Sequence, residues 1–268
     1  MSRPEGPDVD EPGPVFPDDV VAGGELLPEG RRPLVRTLVT AVVTIAVLGA
    51  LIGVFLLVVK LMTSTEEQAS RIPLSSAQVS VDARSADIRF VPGKGEALVI
   101  RAKVTHGPLD GSYAAFINKR EHIVLDDGCR RIVSPTCKVQ VTMEVPAGYP
   151  VEVVTTSGNV SARGLADRVL TVRTGSGDVT GTGLAVTELS ARTDSGQVDA
   201  SFAREPFALK VRTDSGDVSA QVPRGTVRYQ VQVRSGSGDV ENALDDVAGG
   251  NGLVVVRTAS GDVDLRRS

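Results

Sequence analysis

Apolar positions follow two different rules along this chain. Between Thr37 and Val59 they are almost continuous: 23 residues carry no charge and no proline, and fifteen of them are Leu, Ile, Val or Phe. From residue 78 to the C-terminus they alternate with polar positions, the period of a strand with one wet face. Leu209 to Val222 shows the second rule. Leu209, Val211 and Thr213 fall on one side, Lys210 and Arg212 on the other. Asp214-Ser215-Gly216 interrupts, and Val218, Ala220 and Val222 resume the inward set.

The interruption repeats. Ser157-Gly158-Asn159-Val160, Ser176-Gly177-Asp178-Val179 and Ser195-Gly196-Gln197-Val198 are followed by Ser215-Gly216-Asp217-Val218, Ser237-Gly238-Asp239-Val240 and Ser260-Gly261-Asp262-Val263. From Ser to Ser the steps are 19, 19, 20, 22 and 23 residues. A period near twenty marks stacked repeats, in which one unit cannot bury its own apolar edge and stacking builds a continuous core.

An inward residue seven places before the end of each phrase keeps one frame. The pairs are Val153 with Val160, Val172 with Val179, Ala191 with Val198, Val211 with Val218, Val233 with Val240 and Val256 with Val263. Val81 with Ile88 extends the frame to an earlier coil, whose corner reads Ser85-Ala86-Asp87. Seven coils in one frame predict an all-β domain over residues 78–268, a parallel β-solenoid of the single-stranded β-helix kind. Right-handed crossovers are the expected hand. The corner glycines, Gly158, Gly177, Gly196, Gly216, Gly238 and Gly261, suit a sharp bend because glycine tolerates positive φ. Ser and Asp stabilise such bends through short side chains that reach nearby backbone.

Residues 91–150 break the period. Ala97–Val104, Ile123–Leu125 and Val139–Val145 look like strands, with turns at Gly107-Pro108 and Asp126-Asp127-Gly128. They predict longer coils or a hairpin excursion that interrupts the stack. Cys129 and Cys137 fall here. Outside the cytosol they are expected to form a disulfide across a loop tip. Zinc ligation with His122 is the rival, although a seven-residue gap with one histidine matches no common zinc spacing. Two free structural thiols are the other alternative.

The continuous run Thr37–Val59 spans about 34 Å as a helix, enough for a hydrocarbon core. Its insertion energy is on the order of −5 kcal/mol or better. A cleaved signal peptide would have a shorter apolar region and a small-residue cleavage site, and Lys60-Leu61-Met62-Thr63 offers none. Arg31, Arg32 and Arg36 before the helix against Lys60 and Arg71 after it bias the N-terminus towards the cytoplasm. The expectation is a single-pass cell-membrane protein with an extracytoplasmic C-terminal domain. Gly49 and Gly53 form a small-xxx-small pair, a route to a weak homodimer through close helix approach. Residues 60–77 are polar and read as a stalk.

Charge refines this division. Residues 1–30 hold eight acids against Arg3 alone, with six prolines and five glycines. Residues 1–36 therefore read as a disordered acidic tail on the cytoplasmic side. The whole chain carries −4, with nine aromatic residues and no Trp. That excludes the basic field and the stacking platform that nucleic-acid binding needs. His106 and His122 are the only histidines. No nucleophile elbow, zinc-protease helix or Walker loop occurs. No catalytic residue, cofactor or metal is expected.

Two registers remain on the outer face. Arg173, Arg192, Arg212, Arg234 and Arg257 each stand five residues before the Asp or Gln of their phrase. Stacked at strand spacing they would form a column beside the Asp column, and the two columns would offset each other as ion pairs. A calcium ladder is the alternative, but such repeats recur every nine residues with paired glycines.

The phrase V-x-x-x-S-G-D-V at this period, with the Val145-Pro146-Ala147-Gly148 approach, closely resembles the bacterial "putative adhesin" β-strand-repeat family, a domain of unknown function. The likeness covers roughly residues 78–266. It implies a parallel β-solenoid on the outer face of a bacterial membrane behind one N-terminal helix, and it brings no catalytic residues. The function expected is a non-enzymatic contact, adhesion or spacing module with an unidentified surface or envelope partner. An envelope-stress or signalling accessory protein is the alternative. A glycan-active β-helix enzyme using a carboxylate pair such as Asp217 and Asp239 is less favoured, because those residues recur in every coil.

Overall fold

The computed structural model describes residues 32–61, 64–74, 78–106, 117–119, 122–125 and 137–268. The expected acidic tail, the turns at 107–108 and 126–128, and Cys129 lie outside the described residues, apart from the tail's last few positions. The chain divides into two units, and the apolar helix and the β unit are taken separately.

Helix α1 (Arg32–Leu61) contains the stretch Leu38–Val58, 21 residues of mean hydropathy 2.9 with none of it buried. At 1.5 Å per residue that stretch is about 32 Å long, so it is long and apolar enough to span a bilayer. Within it the Thr44 hydroxyl donates to the Thr40 carbonyl at 2.7 Å, which removes an unpaired donor from an apolar face. A side chain at Gly49 or Gly53 would meet nothing within 4 Å.

The β unit begins with β1 (Ser64–Pro73), β2 (Val79–Ala83), β3 (Asp87–Pro92), β4 (Ala97–His106), β5 (Ile117–Lys119), β6 (His122–Leu125) and β7 (Lys138–Val145). The repeats follow as β8 (Val151–Thr155), β9 (Val160–Arg163), β10 (Val169–Ser176), β11 (Val179–Leu184), β12 (Glu188–Ser195) and β13 (Val198–Phe202). The last six are β14 (Ala208–Ser215), β15 (Val218–Val222), β16 (Tyr229–Ser237), β17 (Val240–Asn242), β18 (Gly252–Ser260) and β19 (Val263–Arg267).

These strands form two sheets, ordered β1-β4-β7-β3-β9-β11-β13-β15-β19-β17 and β16-β18-β14-β12-β10-β8-β2-β6-β5. Each coil gives one strand to each sheet, joined by the Ser-Gly-x-Val corner. No third face develops, so the strands lie as two facing sheets and do not close into a solenoid. Parallel pairing keeps the frame that the sequence predicts. Val172, Ala191, Val211, Val256 and Val233 are register partners in one sheet. Val179, Val198, Val218, Val263 and Val240 are partners in the other. All are buried except Val233 and Val240, which belong to the outermost coil; Val240 is 46% exposed.

Stack order departs from chain order at both ends. The C-terminal coil, β18–β19, lies between β14–β15 and β16–β17. At the other end β2–β3 lies between β6–β7 and β8–β9. Residues 64–73, expected as part of a stalk, form β1, which pairs antiparallel with β4 over ten residues. Within the stretch 91–150 the described residues include β4, β5, β6 and β7. β6 pairs parallel with β2 and β7 parallel with β3, while β4 runs antiparallel to β7.

Candidate ligand-binding face

The corners decide what is left free for function. A Cβ on Gly158 would overlap the carbonyl oxygen of Ala86. One on Gly177 would overlap that of Gly158, and the relation continues through Gly196, Gly216, Gly261 and Gly238. Glycine is therefore required mainly by the approach of one corner to the next. Positive φ accompanies it at Gly216, Gly238 and Gly261 only, at 153°, 137° and 145°.

The residue after each glycine ties the stack. The Asp178 amide donates to Asn159 Oδ1 at 2.9 Å, and the Gln197 amide to Asp178 Oδ1 at 3.0 Å. The Asp262 amide donates to Asp217 Oδ1 and the Asp239 amide to Asp262 Oδ1, each at 2.9 Å. Inside the corner, Thr193, Thr213 and Thr258 hydroxyls reach the glycine carbonyl of the neighbouring coil at 3.3 to 3.5 Å. The Asp column is thus a set of backbone acceptors. It does not pair with the Arg column as the spacing predicts: among the described residues no ion pair joins the two. Asp262 stands between Asp217 and Asp239, so those two are not neighbours. Among the described residues no three His, Cys, Asp or Glu side chains group as a metal site.

Cys137 is disulfide-bonded, while Cys129, the only other cysteine of the sequence, lies outside the described residues. The His122 ring faces the Ser80 hydroxyl at 3.1 Å.

With the corners occupied by structure, the arginine column is the repeated chemistry left over. Arg173, Arg192, Arg212, Arg257 and Arg234 are direct register partners on β10, β12, β14, β18 and β16. At about 4.8 Å per strand they run for about 19 Å along the outer face of their sheet. Alternation turns them outward because Val172, Ala191, Val211, Val256 and Val233 point in. Arg173 lies 3.7 Å from Glu152, and Arg212 lies 3.9 Å from Asp214. Arg192, Arg257 and Arg234 have no ion pair among the described residues. A groove of about 690 Å³ follows the column, lined by four of these arginines and Lys210, with Asp194 as its one acid.

Three titrating groups lie elsewhere. Asp167, in the turn between β9 and β10, is 3% exposed and neither carboxylate oxygen has a hydrogen-bond partner. Burial pushes its pKa up to about 7, and the Gly148 backbone offsets only part of that. Burial, then the carboxylates of Asp178 and Asp217, raise Asp199. Tyr229 is pushed up to about 12 by burial and by Glu205, against Arg267. It belongs to a network that sequence reasoning missed. Tyr229 donates to the Pro206 carbonyl at 2.7 Å, and its ring lies 5.4 Å from the Arg267 guanidinium. Arg267 Nη1 reaches Glu205 Oε1 at 3.2 Å and the Pro223 carbonyl at 2.9 Å. Glu205 Oε2 accepts from the Thr226 and Val227 amides at 2.7 and 3.1 Å. Nothing in the local pattern flags these residues, because they come from two separate turns, the start of β16 and the last strand.

Residues 71–268 match the family described as Toastrack DUF4097. No curated protein sequence matches the chain. Among solved structures, a "putative cell adhesion protein" from Clostridium sporogenes is 12% identical with a TM-score of 0.47, over 76% of this chain and 100% of that one. A "putative adhesin" from Bacteroides fragilis is 12% identical with a TM-score of 0.43, over 76% and 98%. A "putative lipid binding protein" from Parabacteroides distasonis is 11% identical with a TM-score of 0.32, over 76% and 97%.

Proposed function

Because the chain belongs to the Toastrack DUF4097 family, a domain to which no reaction is assigned, we propose that it is a non-enzymatic contact module at the cell surface. In this reading α1 anchors the protein as a single pass, with the N-terminus cytoplasmic and the β unit outside. Stacked like a short solenoid, the coils hold repeated side chains at fixed spacing on a rigid outer face. One observation carries the reading: the outer face repeats the same exposed residue in register over five strands. A catalytic site needs a local and singular arrangement, whereas a contact surface gains from repetition. The helix supports anchoring through its length and apolar surface.

Two measurements test it. A C-terminal alkaline phosphatase fusion should be active in cells and a C-terminal GFP fusion dark. The reverse pattern places the β unit in the cytoplasm and sinks the reading. Purified protein incubated with envelope polysaccharide should release no fragments; turnover abolished by Asp217→Asn overturns the non-enzymatic part.

A further inference from the structure

We infer that the column Arg173, Arg192, Arg212, Arg257 and Arg234 is a binding site for a linear polyanion, a flexible chain with one anionic group per repeat. The neighbouring outward column of the same strands shows what strand position alone requires. There the register partners are Thr171, Ser190, Lys210, Val255 and Gln232, with no common chemistry. The arginine column is uniform by contrast. It stays uniform across the reordered end of the stack, where Arg257 from the last coil of the chain falls between Arg212 and Arg234.

This uniformity opposes stability. Like charges about 4.8 Å apart repel by roughly 0.9 kcal/mol per neighbouring pair even in water. The two arginines with acidic partners make only long contacts while more than half exposed, and such pairs contribute little. Among the described residues, three of the five have no acidic partner. An anion chain lying in the groove would relieve the repulsion and fill the guanidinium forks, which match phosphate, sulfate or carboxylate oxygens.

Geometry selects a line over a plane. The column is one residue wide. Asp194 and Asp214 flank it towards the corner, and Glu188 and Glu152 stand on the other side. An anionic bilayer would press on those acids together with the arginines, whereas a chain can follow the arginines alone. Around Arg257 and Arg234 the flanking residues are Ala259, Gly236, Val255 and Gln232, so the charge there is uncompensated. No aromatic ring stands in these columns, so unpaired bases would find nothing to stack on.

The test uses the full chain in phosphatidylcholine nanodiscs. The probes are linear polyphosphate, oligogalacturonate, uncharged dextran and vesicles containing phosphatidylglycerol. Binding is measured over a salt series. Polyphosphate, oligogalacturonate or both should bind and dextran should not; which of them binds tells a phosphate source from a carboxylate source. Affinity should fall with salt by a log–log slope of about 0.7 per engaged arginine. The triple variant Arg192→Gln, Arg212→Gln, Arg257→Gln should weaken binding about tenfold or more and lower that slope by about 2. The off-column triple variant Arg89→Gln, Arg163→Gln, Arg168→Gln should stay within about twofold. Circular dichroism melting should show both variants folded. No binding to either polyanion, or equal binding by the column variant, overturns the inference. So does column-dependent binding to the anionic vesicles alone, which would make the occupant a bilayer. The inference rests on the surface-contact reading only for where such a polymer would be met. Binding to purified protein and topology in cells are therefore separate results.

Discussion

Asp167 is the residue whose environment contradicts its chemistry most. One coil further on, nineteen residues later, Val186 is buried at 1% exposure, and Asp167 is as deeply placed without a partner for its charge. With a folded pKa near 7 against an ordinary value of 3.8, the folded state holds its proton more tightly than the unfolded chain. This group therefore costs nothing below about pH 4, and its cost grows until pH passes about 7. Asp167→Asn should melt much like the parent near pH 3.5 and be more stable at pH 8, by roughly 2–4 kcal/mol in urea unfolding. Equal pH profiles for the two proteins would show the carboxylate to be solvated. Sequence reads the inward set and treats the six corner glycines as bends, but each of them also meets the carbonyl of the neighbouring corner, so bending explains only part of their need. A corner touching its neighbour cannot be seen in one coil's sequence. Gln197 fits the same logic. It lies in the Asp column beside Asp178 and Asp217, which already raise Asp199, and a further carboxylate there would add repulsion.

Among the elements, β1 and β19 show why strands were read unequally. β19 follows a phrase and alternates Val263 and Leu265 inward, so it was legible. β1 has only Ala69 and Ile72 as apolar members among charged and polar neighbours, which is the composition of an exposed edge strand. Charges on such a strand discourage pairing with other chains, and they also make it look like a linker. The turn network around β19 was not legible for another reason: Glu205, Pro223, Tyr229 and Arg267 meet only after reordering. Glu205 and Arg267 side chains are 12% and 17% exposed, so removing one partner strands the other. Glu205→Ala should lower unfolding stability by roughly 2–4 kcal/mol, since it also leaves the Thr226 and Val227 amides without their acceptor. Glu205→Gln keeps an acceptor for those amides and should lose less. If both variants unfold at the parental urea midpoint, the network is a solvated surface contact and does not hold the last coil in place.

At the scale of the whole β unit the decisive feature is the order of the stack, and the sequence carried a faint sign of it. Phrase spacing rises from 19 and 20 residues to 22 and 23 over the last two steps. Leaving β15 for β16 skips one coil position, and leaving β17 for β18 steps back into it. Skipping a coil adds about 4.8 Å of travel, which two or three extra residues at about 3.3 Å each can span. Read forward, longer spacing is also consistent with a loose loop, so the period alone could not reveal the exchange. The exchange changes how the end of the stack should fail. In a stack that follows chain order, removing the last coil exposes one interface and leaves the others paired. Here, among the described residues, the last coil is the only strand partner of β16–β17 in either sheet. A chain ending at Ala248 should therefore lose hydrogen-exchange protection over residues 229–242, although those residues are still present. Protection at Gly196 and Val198 should persist, because their amides donate to the Ser215 and Asp217 carbonyls, which the truncation keeps. Retained protection over 229–242 would mean that β16–β17 can dock directly on β14–β15, and that the exchanged order is a preference and not a requirement. The same truncation takes Arg257 from the arginine column, where it stands between Arg212 and Arg234. It should interrupt polyanion binding more severely than the loss of one charge from the end of the line, where Arg173 is already paired.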